Sequence, residues 1–218
     1  MGGTTVVIDE MVRGPSGATY DRSVITDALG RFARRRATSL VLVAWGFAEA
    51  TILLFVPDLL LYPLVVAAPR RAVPLFGWAL AGALLGSLVL SAVTLSDPAT
   101  GRGLVLGVPG IHDQTIEAAE AAVRDGDPLA MVHLGPGTPL KVYSVAWWAG
   151  AGTVAAYLVG VVANRLVRIG SGVLVFALLG ALAPRWIRRH ERIALAAYAI
   201  FWGVVAALAI GIERTVGG

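Results

Sequence analysis

Residues 47–72 read FAEATILLFVPDLLLYPLVVAAPRRA, and the apolar run they close begins at Ser39 and continues to Ala68. RFARRR stands just before that run at 31–36 and PRR just after it at 69–71. Clusters of arginine at the ends of apolar segments mark the cytoplasmic face of a membrane protein, so both flanks belong on one side. An even number of crossings is then required. Two full crossings need roughly 40 apolar residues, and the 39–68 stretch holds only 30. The economical solution is a re-entrant hairpin that enters, turns at Pro57-Asp58 and returns. Irregular backbone at that depth is tolerated only where protein or a wet cavity surrounds it.

The whole chain supports a bilayer as its solvent. Of 218 residues, 57% are hydrophobic and 15% charged, with a mean hydropathy of +0.75, whereas soluble domains carry about 25% charged residues. There is no cysteine, which excludes disulfides, thiolate metal sites and a Cys nucleophile. His112, His133 and His190 show no ligand spacing, so no metal is expected. The net charge of +4 sits in short clusters beside apolar runs. That is a topology pattern rather than a nucleic-acid surface. Among the 18 basic residues only Lys141 is lysine. No GxSxG, HExxH or complete phosphate-loop motif occurs, and neither an enzyme nor a cofactor is expected.

Working outward, residues 1–38 read as a cytoplasmic tail, ending in a short amphipathic helix around Val24–Arg36 on the membrane surface. Residues 72–95 form a spanning helix, with Gly82 and Gly86 in GxxxG spacing. Residues 96–128 hold Asp97, Asp113, Glu117, Glu120, Asp125 and Asp127 against Arg102 and Arg124. This poverty of basic residues suits the external side. Within them HDQTIEAAEAAVRDG, ending at Gly126, predicts a helix whose apolar face carries Ile116, Ala119 and Val123, lying on the membrane surface. Residues 129–150, LAMVHLGPGTPLKVYSVAWWAG, contain Pro136, Gly137 and Pro139 and cannot be one helix. They form a second re-entrant hairpin of opposite orientation, with Trp147-Trp148 as an interfacial belt. The number of crossings over 151–183 stays open, one long or bent crossing being favoured over two that would break the distribution of basic residues; a basic cytoplasmic cluster at 184–192 and a last transmembrane helix over 193–212 complete a membrane domain of 39–212. The fold class is an all-α integral membrane protein, an inverted repeat of hairpin plus helix with one additional C-terminal helix. Broken helices at matching places in two halves point to a site at the midplane.

Six ionisable residues fall in or beside the apolar segments: Glu49, Asp58, His133, Lys141, Arg165 and Arg168. A charge at the centre of a spanning helix costs about 2.5–3.5 kcal/mol on insertion scales, so these groups are expected to face inward and pair. The acids lie in the first hairpin, and the bases in the second hairpin and the helix after it. Each has a plain structural reading beside the functional one. Glu49 with Arg165 is also what a purely structural ion pair looks like, Asp58 is placed to cap the returning half-helix, Lys141 is long enough to snorkel, and Arg168 suits a topology charge.

The pattern over 47–72 resembles the first hairpin of the DedA/VTT (SNARE-associated) superfamily, most nearly its YqaA-like branch. GTPLKVYSVAWWAG at 137–150 is similar to the family's Pro-x-x-Lys-Val hairpin ending in Ala-Gly. GVVANRLVR at 160–168 follows where the family has Gly-Arg-x-x-Arg, with Asn164 in place of the glycine. The resemblance covers 42–180. It implies a bacterial plasma-membrane protein that moves a lipid head group, polyprenyl-phosphate or phospholipid, in a proton-coupled manner. Glu49, Asp58 and His133 would serve the proton, and Lys141, Arg165 and Arg168 the phosphate. Two further readings stay open: a non-transporting scaffold for envelope assembly or division, and a proton-coupled small-ion transporter. The expected partners are membrane lipid and protons, with room for a homo-oligomer.

Overall fold

A computed structural model describes residues 24–53, 58–133 and 138–216. Every regular element in them is helical. The elements are α1 (Val24–Phe32), α2 (Arg36–Thr51), α3 (Asp58–Ala67), α4 (Ala72–Ser96), α5 (Pro98–Leu106), α6 (Asp113–Val123), α7 (Ala130–His133), α8 (Leu140–Ala146), α9 (Val154–Arg165), α10 (Ser171–Leu182), α11 (Pro184–Arg189) and α12 (Glu191–Val216). A 3-10 turn over Pro69–Arg71 leads into α4, another over Trp147–Ala149 follows α8, and a π-helical turn over Leu166–Gly170 joins α9 to α10 without a break. The tail before Val24 and the expected turn residues Pro57, Pro136 and Gly137 lie outside the described residues.

Two continuous helical stretches are long and apolar enough to cross a membrane, Pro69–Ser96 and Val154–Leu182. The second spans the region whose crossings the sequence left open, and it is a single rod with the π turn inside it. The 16 residues of α2 and 10 of α3 are each short of the ~20 that a crossing takes.

The packing has an exchange pattern. The first arm on the N-terminal side, α2, lies along α4, while the second arm, α3, lies along α10. On the C-terminal side α7 lies along α9, while α8 lies against α4. In both cases the first arm packs on the long helix of its own half and the second arm on that of the other half. The α2–α4 contact is close because glycines line it. A Cβ on Gly82 would stand 2.1 Å from the Val43 carbonyl oxygen, and one on Gly46 2.3 Å from that of Ala79. The two halves are unequal: α7 has four residues and α8 seven.

Two apolar clusters result. One gathers Val105, Ile116, Met131, Trp147 and Tyr157 around the Ala83–Leu90 part of α4. The other gathers Leu42, Leu61, Leu64 and Val173 around its Leu75–Ala79 part. Ile116, Ala119 and Val123 of α6 are fully buried in the first cluster, so that face is spent on the protein's own α8 rather than on a lipid surface. Trp147 is likewise core, not belt: the 3-10 turn folds the chain back over it, and its indole N–H donates to the Thr153 carbonyl at 3.2 Å. Gly152 permits this, since a Cβ there would stand 2.3 Å from the ring. Trp148 is half-buried and stacks obliquely on Tyr157 at 5.4 Å.

Helix α1 is docked on protein too. It packs on α3, and the Glu191 carboxylate accepts from the backbone N–H groups of Ile25 and Thr26 and from the Thr26 hydroxyl. Burial pushes the Glu191 carboxyl up, but these hydrogen bonds outweigh it and hold its pKa below the usual range. Asp27 pairs with Arg188 at 3.0 Å, so α1 and the 184–192 cluster sit at the same end of the molecule. At the other end Asp97 caps α5 through the N–H groups of Ala99 and Thr100, with Pro98 opening the helix. Arg102 gathers Asp113 at 2.8 Å and Glu120 at 3.1 Å. The hydrogen bond to Asp113 leads in raising the pKa of that guanidinium.

Candidate functional site

The charged residues meet where the two apolar clusters adjoin. On the α9–α10 rod, Val161 belongs to one cluster and Ile169 to the other, and Arg165 lies between them. Glu49 on α2 lies beside Ala50 of one cluster and two turns from Leu42 of the other. Their side chains form an ion pair through Oε2 and Nη2, with Glu49 2% and Arg165 0% exposed. A 16-residue helix brings Glu49 to this junction, and the continuous α9–α10 rod keeps Arg165 there.

Burial makes the pair's completeness matter. An arginine carries five N–H donors, yet the Nε and Nη1 of Arg165 have no hydrogen-bond partner among the described residues. Each buried donor left unpaired costs about 1–3 kcal/mol. The neighbouring Asn164 gives its amide nitrogen to the Met131 carbonyl at 2.7 Å, tying α9 to α7, and its Oδ1 is also unpaired.

The remaining charges tie separate helices together. Lys141 on α8 is 1% exposed and donates to the Leu53 carbonyl, where α2 has just ended. The start of α8 is thereby tied to the chain just after α2. Arg168, in the π turn, donates to the Thr138 carbonyl at 3.3 Å, just before α8. Lys141 lies within electrostatic reach of Glu49, Arg165 and Arg168. Asp58, the first residue of α3, is buried and lies within reach of Arg168, Arg165 and Glu49. Its Oδ1 accepts no hydrogen bond among the described residues, while its carbonyl accepts from the Tyr198 hydroxyl at 2.7 Å.

Five of the six expected ionisable residues therefore share one region, and His133 does not. It ends α7 in an exposed position. Pro139 precedes α8 with extended backbone. Sequence reasoning missed two contributors. Tyr198 reaches Asp58 from α12, far along the chain. A buried hydroxyl network joins Ser144 to Tyr157 at 2.7 Å and Tyr157 to the Ser87 carbonyl at 3.4 Å. The periodic placement of serines on the buried face of α4 was its only trace.

In formal charge the region holds three cations, Lys141, Arg165 and Arg168, and two carboxylates, Glu49 and Asp58, which leaves one net positive charge. With two guanidinium nitrogens unpaired, such a region has the chemistry to hold one monoanionic group. Among the described residues no cluster of histidine and acidic side chains suited to a metal ion occurs. Comparison with protein-family models, curated proteins and solved structures finds no match.

Proposed function

We propose that the chain is an integral membrane protein of the plasma membrane that moves an anionic lipid head group between leaflets, coupled to protons. The observation that carries this reading is Arg165: fully buried, paired to Glu49 through one nitrogen, with its other two nitrogens without a partner among the described residues.

The membrane reading draws on the two spanning-length helices and on large apolar side chains left on the surface, such as Val73 at 82% and Leu182 at 80% exposure. Exposed apolar patches of that extent are foreign to soluble monomers. The inverted repeat draws on the exchange packing, because a two-fold relation requires the packing of one half to be repeated by the other, as it is here. The DedA/VTT resemblance, carried by 47–72, 137–150 and 160–168, supports the same reading.

The mechanism follows from charge balance. With Glu49 ionised, its carboxylate neutralises Arg165 and closes the site. When Glu49 takes up a proton it releases the guanidinium, which then accepts a phosphate oxygen pair in its planar fork. Both states of the pair are neutral overall, so neither strands a charge in a medium where an isolated one is costly. Proton and anion thus compete through one arginine. Lys141 and Arg168 hold the hairpin tips over the site by their carbonyl contacts and add positive potential. Asp58, with Tyr198 beside it, offers the next proton acceptor toward the α1 end.

Reconstitution into liposomes tests this. Head-group-labelled anionic lipid should change leaflets faster than in empty vesicles, and an imposed pH gradient should bias the direction. Dissipation of the gradient without lipid movement would favour an ion transporter, and neither activity a scaffold. Either result overturns the proposal.

A further inference from the structure

Resting on the membrane reading above but not on transport, we infer that a basic groove at the α1 end of the molecule binds the phosphate of an anionic phospholipid from the adjoining leaflet. The groove has a volume of about 680 Å³ and lies between the α1–α2 connection, the end of α3 with its 3-10 turn, and the α10–α11 corner. Arg34, Arg70, Arg71 and Arg188 line it, and all four are exposed. A topology signal needs arginines on one side of the membrane. It does not need them to converge on one concavity from three separate segments.

The neighbouring acids cancel only part of this charge, and Arg34, Arg70 and Arg71 have no acidic partner among the described residues. Asp27 is engaged with Arg188, and the Glu191 carboxylate is held by the first turn of α1. Arg71 gives one nitrogen to the Ala33 carbonyl at 3.3 Å. The side chains of Arg34 and Arg70 have no hydrogen-bond or ion-pair partner among the described residues. The second wall is apolar. Leu174 and Leu178 line the groove and are exposed on α10, so the wall continues from the arginines onto the outer face of a spanning-length helix. A head group with two acyl chains has that form: phosphate against guanidinium, chains along the leucines. Free phosphate would use only the first half.

Native mass spectrometry of the full chain in mild detergent, loaded with phosphatidylglycerol or with phosphatidylcholine of the same chains, reads the occupancy. Phosphatidylglycerol should be retained preferentially, and Arg34→Gln with Arg70→Gln should weaken it about thirtyfold, as expected for two arginines at a charged interface. Arg34→Lys with Arg70→Lys should stay within about threefold, because both keep their charge. On the unaltered chain, raising salt should weaken retention as exposed charges are screened. The salt response keeps the test decisive if the Gln variant does not fold. Equal retention of the two lipids, salt-independent retention, or unchanged retention in a folded Gln variant would overturn the site. So would equally strong binding of water-soluble glycerol phosphate, which has no acyl chains. Release of the chain from membranes by alkaline carbonate without detergent would instead defeat the membrane reading itself.

Discussion

Replacing Glu49 by Gln strands a guanidinium that is 0% exposed and cannot lose its proton. Breaking a buried pair from one side costs about 3–5 kcal/mol. The opposite change, Arg165→Met, strands a carboxylate that can take up a proton and become neutral. The two single variants should therefore differ. Glu49→Gln should be the less stable, and nearly as unstable at pH 5 as at pH 8. Combining them removes the charge from both sides and also deletes the Nε and Nη1 donors that have no partner. Such replacements by neutral groups are neutral or stabilising by about 1–4 kcal/mol, so the double variant should melt at or above the unaltered chain. Thermal melts in detergent, followed by circular dichroism at both pH values, supply the measurement. A Glu49→Gln variant within about 1 kcal/mol of the parent, or a double variant that merely sums the two losses, would refute a desolvated pair. Function separates from stability in the same set. The double variant should fold yet move no labelled lipid, and pH-driven transport by it would refute the exchange mechanism while leaving the fold intact.

Three further outcomes follow from the geometry. Gly82→Ala places its Cβ 2.1 Å from the Val43 carbonyl oxygen and should cost at least the ~1–3 kcal/mol of an overpacked core. Gly77→Ala meets nothing within 4 Å and should gain up to about 1 kcal/mol in helix propensity; equal effects at both positions, read in detergent melts, would contradict the α2–α4 packing. Cysteines placed at Arg35 and Arg70 in this cysteine-free chain should react with an impermeant reagent from one side of intact membranes and a cysteine at Glu117 from the other; opposite-side labelling of Arg35 and Arg70 would exclude the hairpin. The carboxyl of Glu191 is depressed from 4.5, so its contribution to docking α1 is complete above that pH and is lost as the pH falls through the lower folded value. A fluorophore on α1 should report undocking only in acid, and Glu191→Gln should abolish that pH dependence.

The all-helical class was legible because apolar composition and run length are properties of the chain alone, as is the break that Pro and Gly impose wherever they interrupt a run. The α4 and α6 bounds, the apolar face Ile116–Ala119–Val123 and the set Glu49, Asp58, Lys141, Arg165 and Arg168 were likewise open to inspection, since a charge inside an apolar run stands out without any fold. What covers a face was not. The apolar side of α6 suits lipid and protein equally, and only the position of α8 beside it decides. Trp147 beside Trp148 has the form of an interfacial belt until Gly152 lets the chain close over the indole.

Partner choice between distant residues belongs to tertiary structure alone. The 116 positions between Glu49 and Arg165 leave their meeting to the packing of α2 and the α9–α10 rod on α4. Tyr198 joins Asp58 only because α12 returns past α3. The sequence determined which groups cannot stay unpaired in an apolar medium, because desolvation acts on each group by itself. The structure decided which of them neutralise one another, and left Arg165 with two donors to spare, because pairing depends on distance and direction, which arise only when the helices have packed.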